Sequence, residues 1–384
     1  VNTEFLKNFG EKLDTEIADC TAAIYLYAGH EFNINSTKQL AAVLFDEMCL
    51  PYPKGKKTKT GYSTANDILE KVRDACEDPI IDNVIEYRKL SKLKSTYIDG
   101  LLKKVGEDGR IHTVFTQTVT QTGRISSTEP NLQNIPVRTE LGRQLRKAFE
   151  AREGCTLIDA DYSQIELRVL AHIADDENMK RAFIEDRDIH TATAAQVFGL
   201  PEAMVTPELR RRAKAVNFGI VYGIGEYSLS QDIGVSFREA KNYIENYFRT
   251  YSGVKKYMDG IIESAKEKGY VETMFARRRY VPDINAKNKQ LQAFASRVCR
   301  NTPIQGTAAD LIKLAMVRVF DRLEKSGTGA RLILQIHDEL IIEAPVEKEK
   351  EISEMLKYEM EHAANLSVPL LADVNAGKTW YESK

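Results

Sequence analysis

The 384-residue sequence is poor in the features that announce specialised classes of protein. Its five cysteines, Cys20, Cys49, Cys76, Cys155 and Cys299, are scattered, odd in number and without CxxC spacing. Neither a zinc site nor a disulfide framework is expected, and a reducing compartment is the default. No apolar run approaches the roughly 20 residues that a membrane helix needs. No signal peptide is present, and the first residue is Val1 rather than Met, as in a fragment or a processed chain. An excess of one charge is also missing. Fifty-four Lys and Arg face 56 Asp and Glu, a formal net charge of −2, so bulk charge does not announce a nucleic-acid binder. Basic residues do cluster locally, in Lys54–Lys59, Arg210–Lys214 and Arg277–Arg279, and such runs are most often solvated faces. What remains is an ordinary globular composition, 43% apolar and 29% charged, at a length that suits two or three packed lobes.

Hydrophobic spacing makes residues 1 to about 105 mostly helical. Leu6, Phe9, Leu13, Ile17, Ile24 and Tyr27 recur at helical intervals, as do Ile80, Val84, Tyr87, Leu90 and Leu93. A polar loop starting at Pro51 separates the two series. Arg110–Thr120, rich in β-branched residues, predicts a strand, whereas Thr122–Arg138 shows no period and has the length of a functional loop. Cys155–Asp161 reads as an apolar strand ending on an acid, followed by a helix that Ser163 could cap. From there to about Gly327 the pattern is helical, interrupted near Pro207, Gly223–Gly225, Gly253 and Pro303, with a hairpin around Tyr270–Val281. Leu332–Ile336 and Leu340–Ala344 flank His337-Asp338-Glu339 and predict a second hairpin. A helix over Val346–Ala364 and a short strand near Leu370–Val374 complete the chain.

Two constellations carry chemistry. Asp161 ends one strand, and Asp338 with Glu339 sits at a hairpin tip, so the acids converge if the strands are neighbours. Mg²⁺ takes one or two carboxylates plus substrate phosphates and water. On spacing alone, strand-end acids more often mark turns. The second constellation is Arg210, Lys214, Phe218 and Tyr222, at i, i+4, i+8 and i+12. They form one gently winding helix face about 18 Å long. Two cations followed by two aromatics suit a ligand with an anionic end and a planar end. An ordinary amphipathic helix would show the same pattern.

The motifs in order resemble those of the family A DNA polymerases. Asp161-Tyr-Ser-Gln-Ile-Glu-Leu-Arg168 is similar to the first catalytic motif of that family, Arg210 through Gly223 to its finger-helix motif, and Gln335-Ile-His-Asp-Glu-Leu340 to the third. Thr122–Arg138 resembles the DNA-contacting segment before the first motif, and Pro303–Asp310 a further element. The match runs in order from roughly Glu31 onward.

The resemblance implies an α+β, right-hand polymerase fold with an antiparallel β-sheet palm and mostly helical fingers and thumb. The thumb would be 1–108, the palm 109–165 and 300–384, and the fingers 166–299. The implied activity is template-directed addition of dNTPs to a primer 3′-OH, with primer–template DNA as partner, by a monomer without membrane association. Two Mg²⁺ ions, replaceable by Mn²⁺, would be held by Asp161, Asp338 and the Tyr162 carbonyl, with Glu339 in support. Arg210, Lys214 and His190 would bind the triphosphate, Lys214 also protonating the leaving pyrophosphate. Gln164 belongs with the dNTP site, Tyr222 stacks near the nascent pair, and Glu166 stands where a ribose 2′-OH would fall. Phe218 offers no hydroxyl to replace a missing 3′-OH, so dideoxynucleotides should be poor substrates.

Arg124, Asn131, Gln133 and Asn134, then Arg297, Asn301 and Gln305, would track DNA through phosphates and the minor groove, where acceptors are nearly alike for every base pair. His337 would reach the primer terminus, and Lys92 and Lys94 the backbone phosphates. A cytoplasmic, nucleoid-associated protein is implied if the source is bacterial. Unlike its relatives, the chain opens inside the thumb region, so no proofreading 3′→5′ exonuclease is expected on it. Two rivals remain at this point. A single-subunit RNA polymerase shares the acids and finger helix but is disfavoured by Glu166. A silent DNA-gripping module is disfavoured by the intact acids and cations.

Overall fold

A computed structural model describes residues 1–53, 61–137 and 139–384. The basic run Lys54–Lys59 and the final residue of the Thr122–Arg138 segment lie outside the described residues. Two compact units emerge, one formed by 1–114 with 129–150 and the other by 115–128 with 151–384.

The first unit is helical because its apolar residues return every third or fourth position. Helix Thr3–Ala28 starts at Asn2, whose side chain accepts from the Phe5 N–H at 2.8 Å, and ends at Gly29 in the left-handed region at φ 79°. Its partner Pro79–Lys92 starts with Asp78 as cap and proline in the first turn. Ile24, Leu40, Leu44, Leu69, Ile80, Ile81 and Val84 close one core between these elements. Tyr27, expected on the buried face, is instead 45% exposed, since the helix ends one residue later.

The second unit is built on a four-stranded antiparallel sheet of spatial order 331–336, 339–345, 155–162, 372–377. Cys155–Tyr162 is buried along nearly its whole length because neighbours pair on both edges and helices cover it. Leu167, Leu170, Ile304, Leu311, Leu340, Ile342 and Leu356 join that sheet to the surrounding helices in one apolar cluster. The two long runs around His337–Glu339 do form a hairpin, as does the Tyr270–Val281 region, where Tyr270–Glu272 pairs with Arg278–Tyr280.

Several local expectations fail. The β-branched stretch Arg110–Thr120 yields only the three-residue strand Val114–Thr116; Val114, Phe115 and Val119 are exposed and have no core to face. The last strand is Ala372–Gly377, displaced toward the C-terminus. Ser163 does not cap the helix after the first strand. Gln164 holds that position in the left-handed region at φ 53°, and no side chain caps it. Pro303 does not interrupt its helix, which runs unbroken over 38 residues from Lys289 to Ser326. An interior proline costs about 3 kcal/mol. Here Cys299, Thr302, Ile304 and the buried run Gly306–Ile312 lock the helix into the core on both sides of it, and each fully buried large apolar side chain is worth about 1.5–3 kcal/mol.

Candidate active site

The sheet makes the acids neighbours. Asp161 is paired with Glu339 on one side and Asp373 on the other, and the Tyr162 N–H donates to the Asp338 carbonyl at 3.1 Å. Side chains of directly opposed residues, and of residues two apart along a strand, share a face. Asp159, Asp161, Glu339 and Asp373 therefore occupy one face of the sheet edge. The two-residue turn His337–Asp338 follows, with His337 at φ 49° and its carbonyl accepting from Gln335 Nε2 at 2.6 Å. Burial raises the Asp338 carboxyl above its ordinary value; the Arg124 guanidinium opposes this, and the Asp161 charge adds to it. Asp159 is pushed well up by burial and by Glu339, and its Oδ2 is buried without a partner. The Tyr162 side chain is spent on the core, its hydroxyl donating to the Met360 carbonyl at 2.7 Å. Any part it plays in the site comes from its main chain.

One step away, Glu166 lies 5% exposed on the first turn of helix Ile165–Ile173. Its Oε1 accepts from Arg124 Nη2 at 2.8 Å and its Oε2 from the Tyr222 hydroxyl at 3.0 Å. Burial raises its pKa against the pull of Arg124, while burial and the Glu166 carboxylate push the Tyr222 phenol up to about 12. The charge of Asp338 acts on Glu166, and Arg124 acts on both, so charge at the acidic edge is felt by the hydrogen-bonded group that ends at Tyr222.

That helix begins with Thr206 as cap and Pro207 in the first turn. It carries Arg210, Lys214 and Phe218 as expected, with Tyr222 at its C-cap. Lys214 is exposed and has no ion-pair partner among the described residues. Arg210 Nε donates to Asp188 Oδ2 at 2.6 Å. Asp188 also caps helix Ile189–Phe198, accepting from the N–H groups of His190 and Thr191.

His190, the next residue but one, is 3% exposed, 5.8 Å from the Phe218 ring, and bonded at Nδ1 by Asn217 Nδ2 at 3.0 Å. Asn217 Oδ1 accepts from Thr193, which orients the amide so that Nδ1 is the acceptor and the imidazole proton sits on Nε2. Burial lowers the His190 pKa to about 4. Sequence reasoning missed Asp188 and Asn217. The only available signals were an acid in a cap position two residues before His190 and an Asn on a buried helix face.

Beside Phe218 and Tyr222 opens a cleft of about 620 Å³ that also touches Gly219, Gly223 and Arg297. A side chain at Gly219 would come within 2.7 Å of Ile224, so glycine there lets the turn after the helix fold back closely. Because the helix through Pro303 is continuous, Arg297, Asn301 and Gln305 lie on one face over about 12 Å. Asn301 Oδ1 is buried without a partner. The remaining residues, Lys92, Lys94, Asn131, Gln133 and Asn134, belong to the other unit. There Lys94 is tied to Asp99 at 3.0 Å and to Asp14 at 3.4 Å, Lys92 is exposed, and Asn131 caps a short turn by accepting from the Gln133 N–H. Tyr97 donates to the Asn134 carbonyl at 2.7 Å.

Sequence reasoning gave no hint of Lys384. Its Nζ donates to Asp161 Oδ2 at 2.9 Å and to Glu339 Oε2 at 2.7 Å, and Trp380 Nε1 donates to Glu339 Oε1 at 3.1 Å. No group of three or more His, Cys, Asp or Glu able to hold a metal occurs among the described residues. None of their helices is long and apolar enough to cross a membrane.

Known proteins resemble this chain over its whole length. The pattern described as DNA polymerase family A matches residues 3–382. DNA polymerase I of Bacillus caldotenax is 53% identical over 387 residues, covering 100% of this chain and 44% of the relative. DNA polymerase I of Lactococcus lactis subsp. cremoris (strain MG1363) is 50% identical, with 43% of its length matched. This chain thus spans less than half the length of these relatives. Among solved structures, the POL domain of Pol1 from M. smegmatis, in complex with DNA primer-template and dNTP, superposes with a TM-score of 0.94 at 43% identity. That match covers 100% of this chain and 67% of the other.

Proposed function

The chain belongs to DNA polymerase family A, and from that membership and the site's geometry we propose that it extends a DNA primer with dNTPs on a template strand. The carrying observation is the register that sets Asp161 against Glu339 beside the His337–Asp338 turn, linked through Arg124, Glu166 and Tyr222 to a helix bearing Arg210 and Lys214. Residues 1–108 are assigned to the thumb, 166–299 to the fingers, and 109–165 with 300–384 to the palm.

The acid edge fits a divalent cation. Its oxygens already hold the Lys384 ammonium, and the Asp161 charge that raises Asp338 is a repulsion that a cation relieves. Fewer than three carboxylates suffice, because Mg²⁺ fills its shell with phosphate oxygens and water. Asp161, Asp338 and the Tyr162 carbonyl would hold it. When bound, two such ions ease loss of the primer 3′-OH proton and neutralise the departing pyrophosphate.

This chain's own residues supply the rest. Arg210 and Lys214 grip the β- and γ-phosphates, and Lys214, an exposed ammonium, gives its proton to the leaving pyrophosphate. His190 stays neutral and donates from Nε2 to a phosphate oxygen. Glu166, held by Arg124 and Tyr222, fills the space of a ribose 2′-OH. Phe218 and Tyr222 flank the sugar and base, and Phe218 brings no hydroxyl, which makes dideoxynucleotides poor substrates. Arg124, Arg297, Asn301 and Gln305 contact the DNA, with His337 at the primer end, Asn131, Gln133 and Asn134 on the minor groove, and Lys92 and Lys94 on phosphates. Gln164 lines the nucleotide site.

Primer extension with Mg²⁺ and all four dNTPs is the test. Asp338→Ala should lower the rate by about a thousandfold or more, the scale of losing metal-based charge stabilisation. Full activity in that variant would sink the assignment.

A further inference from the structure

The face of the sheet edge carries Asp159, Asp161, Glu339 and Asp373, four acids in paired or alternate register. Lys384 bridges two of them, Asp161 and Glu339. The chain turns sharply after strand Ala372–Gly377 to place it. Glu382 Oε2 accepts from the N–H groups of Lys378 and Thr379, the Ser383 N–H donates to the Thr379 carbonyl, and Ser383 Oγ donates to the Trp380 carbonyl. A side chain at Gly377 would come within 2.5 Å of Glu382 Cβ, so the turn packs against the strand only because glycine is there. Trp380, 1% exposed, is locked beneath and fixes Glu339 Oε1. The turn thus delivers Lys384 Nζ between Asp161 Oδ2 and Glu339 Oε2.

We propose that Lys384 is a positioning residue of the reaction centre, a built-in counter-cation that holds Asp161 and Glu339 together and competes with the divalent ion for Asp161. The proposal rests on the reading of Asp161 as a metal ligand. An ammonium and a divalent cation seek the same lone pairs of Asp161 Oδ2. A positive charge within a few Å also repels an incoming ion. The lysine therefore sets the divalent concentration at which the site fills, and it keeps the two carboxylates from driving each other apart before filling.

Mn²⁺ binding to the 384-residue chain, followed by electron paramagnetic resonance of the free ion, tests this without turnover. Trp380 is the chain's single tryptophan and bonds Glu339, so its fluorescence gives a second record of the same event. Lys384→Met should lower the apparent Mn²⁺ dissociation constant by about tenfold, as expected on removing a unit charge close to a divalent ion at a partly exposed site. Lys384→Arg, which keeps the charge, should restore the original value, a rescue that a purely structural role would not produce. Primer extension by Lys384→Met should reach half its maximal rate at correspondingly lower Mg²⁺. If Lys384→Met binds Mn²⁺ with unchanged or weaker affinity while Asp338→Asn still abolishes binding, the role of Lys384 is overturned and the metal reading stands. If the unaltered chain takes up no Mn²⁺ that Asp338→Asn removes, both fall together.

Discussion

At the sheet edge, acids gathered on one face are met by an ammonium from their own chain; on helix Pro207–Val221, the guanidinium of Arg210 is met by the carboxylate of Asp188. The two regions have opposite charge and the same arrangement. Asp161 and Arg210 each hold an internal partner of opposite charge. They differ in depth at one contact. Glu339 is 5% exposed, whereas Asp161 and Lys384, at 46% and 35%, lie as open as Arg210 and Asp188 at 44% and 37%. An exposed pair is worth less than about 1 kcal/mol, so the helix gives up its partner readily. Lys214 has no ion-pair partner among the described residues.

The largest effect that would sharpen this contrast is at Lys214. If it is the cation that serves the leaving group directly, Lys214→Ala should lower kcat by about a hundredfold or more, the range of general-acid catalysis; a change confined to KM in rapid-quench kinetics would break the distinction drawn between it and Arg210. Next comes Glu166, where the acid edge and the helix meet. Glu166→Ala should relax exclusion of ribonucleotides by about tenfold or more in single-nucleotide incorporation, since losing a steric block and a buried hydrogen-bonded pair is worth a few kcal/mol. Unchanged sugar selectivity would remove Glu166 from that role.

A third test concerns charge within the basic region. Folded His190 titrates at about 4 against 6.5 for the unperturbed group, because burial disfavours the imidazolium. Between those values the unfolded chain binds the proton and the folded chain does not. The stability contribution is therefore complete above about pH 6.5 and is lost progressively toward pH 4, a difference of roughly 3–3.5 kcal/mol. Thermal melts of His190→Gln should show a shallower decline over that window, and a proton-resonance titration of His190 near 6.5 would contradict the lowering by burial. The smallest effect is at Asp188. Asp188→Asn should lower KM for dNTP by about two- to threefold, as befits an exposed pair, and no change would mean that Arg210 is not held back by its partner.

Much of this site is written in local spacing. The i, i+4, i+8 series from Arg210 to Phe218 fixes one helix face by geometry alone, and two apolar runs around His337-Asp338-Glu339 require a tight hairpin. What spacing does not carry is adjacency. That Cys155–Tyr162 lies between strands 339–345 and 372–377 depends on contacts across some 200 residues of chain. Asp188 caps a helix, and its bond to Arg210 is visible only once the neighbouring helix is in place. Lys384 carried no signal, because its position depends on a turn packed over Gly377. Pro303 misled for the opposite reason. A strong local rule for ending helices was overridden by burial on both sides.

That proline has a mechanical consequence. The helix Lys289–Ser326 is a rod of about 57 Å at 1.5 Å per residue, and one rung of its internal ladder is missing where Pro303 has no N–H to offer. That rung would have tied Pro303 to the carbonyl of Cys299, within the stretch of polar side chains from Arg297 to Gln305. A beam with a notch flexes at the notch. Strain applied at one end of this rod is therefore taken up beside those side chains and not spread evenly along the shaft.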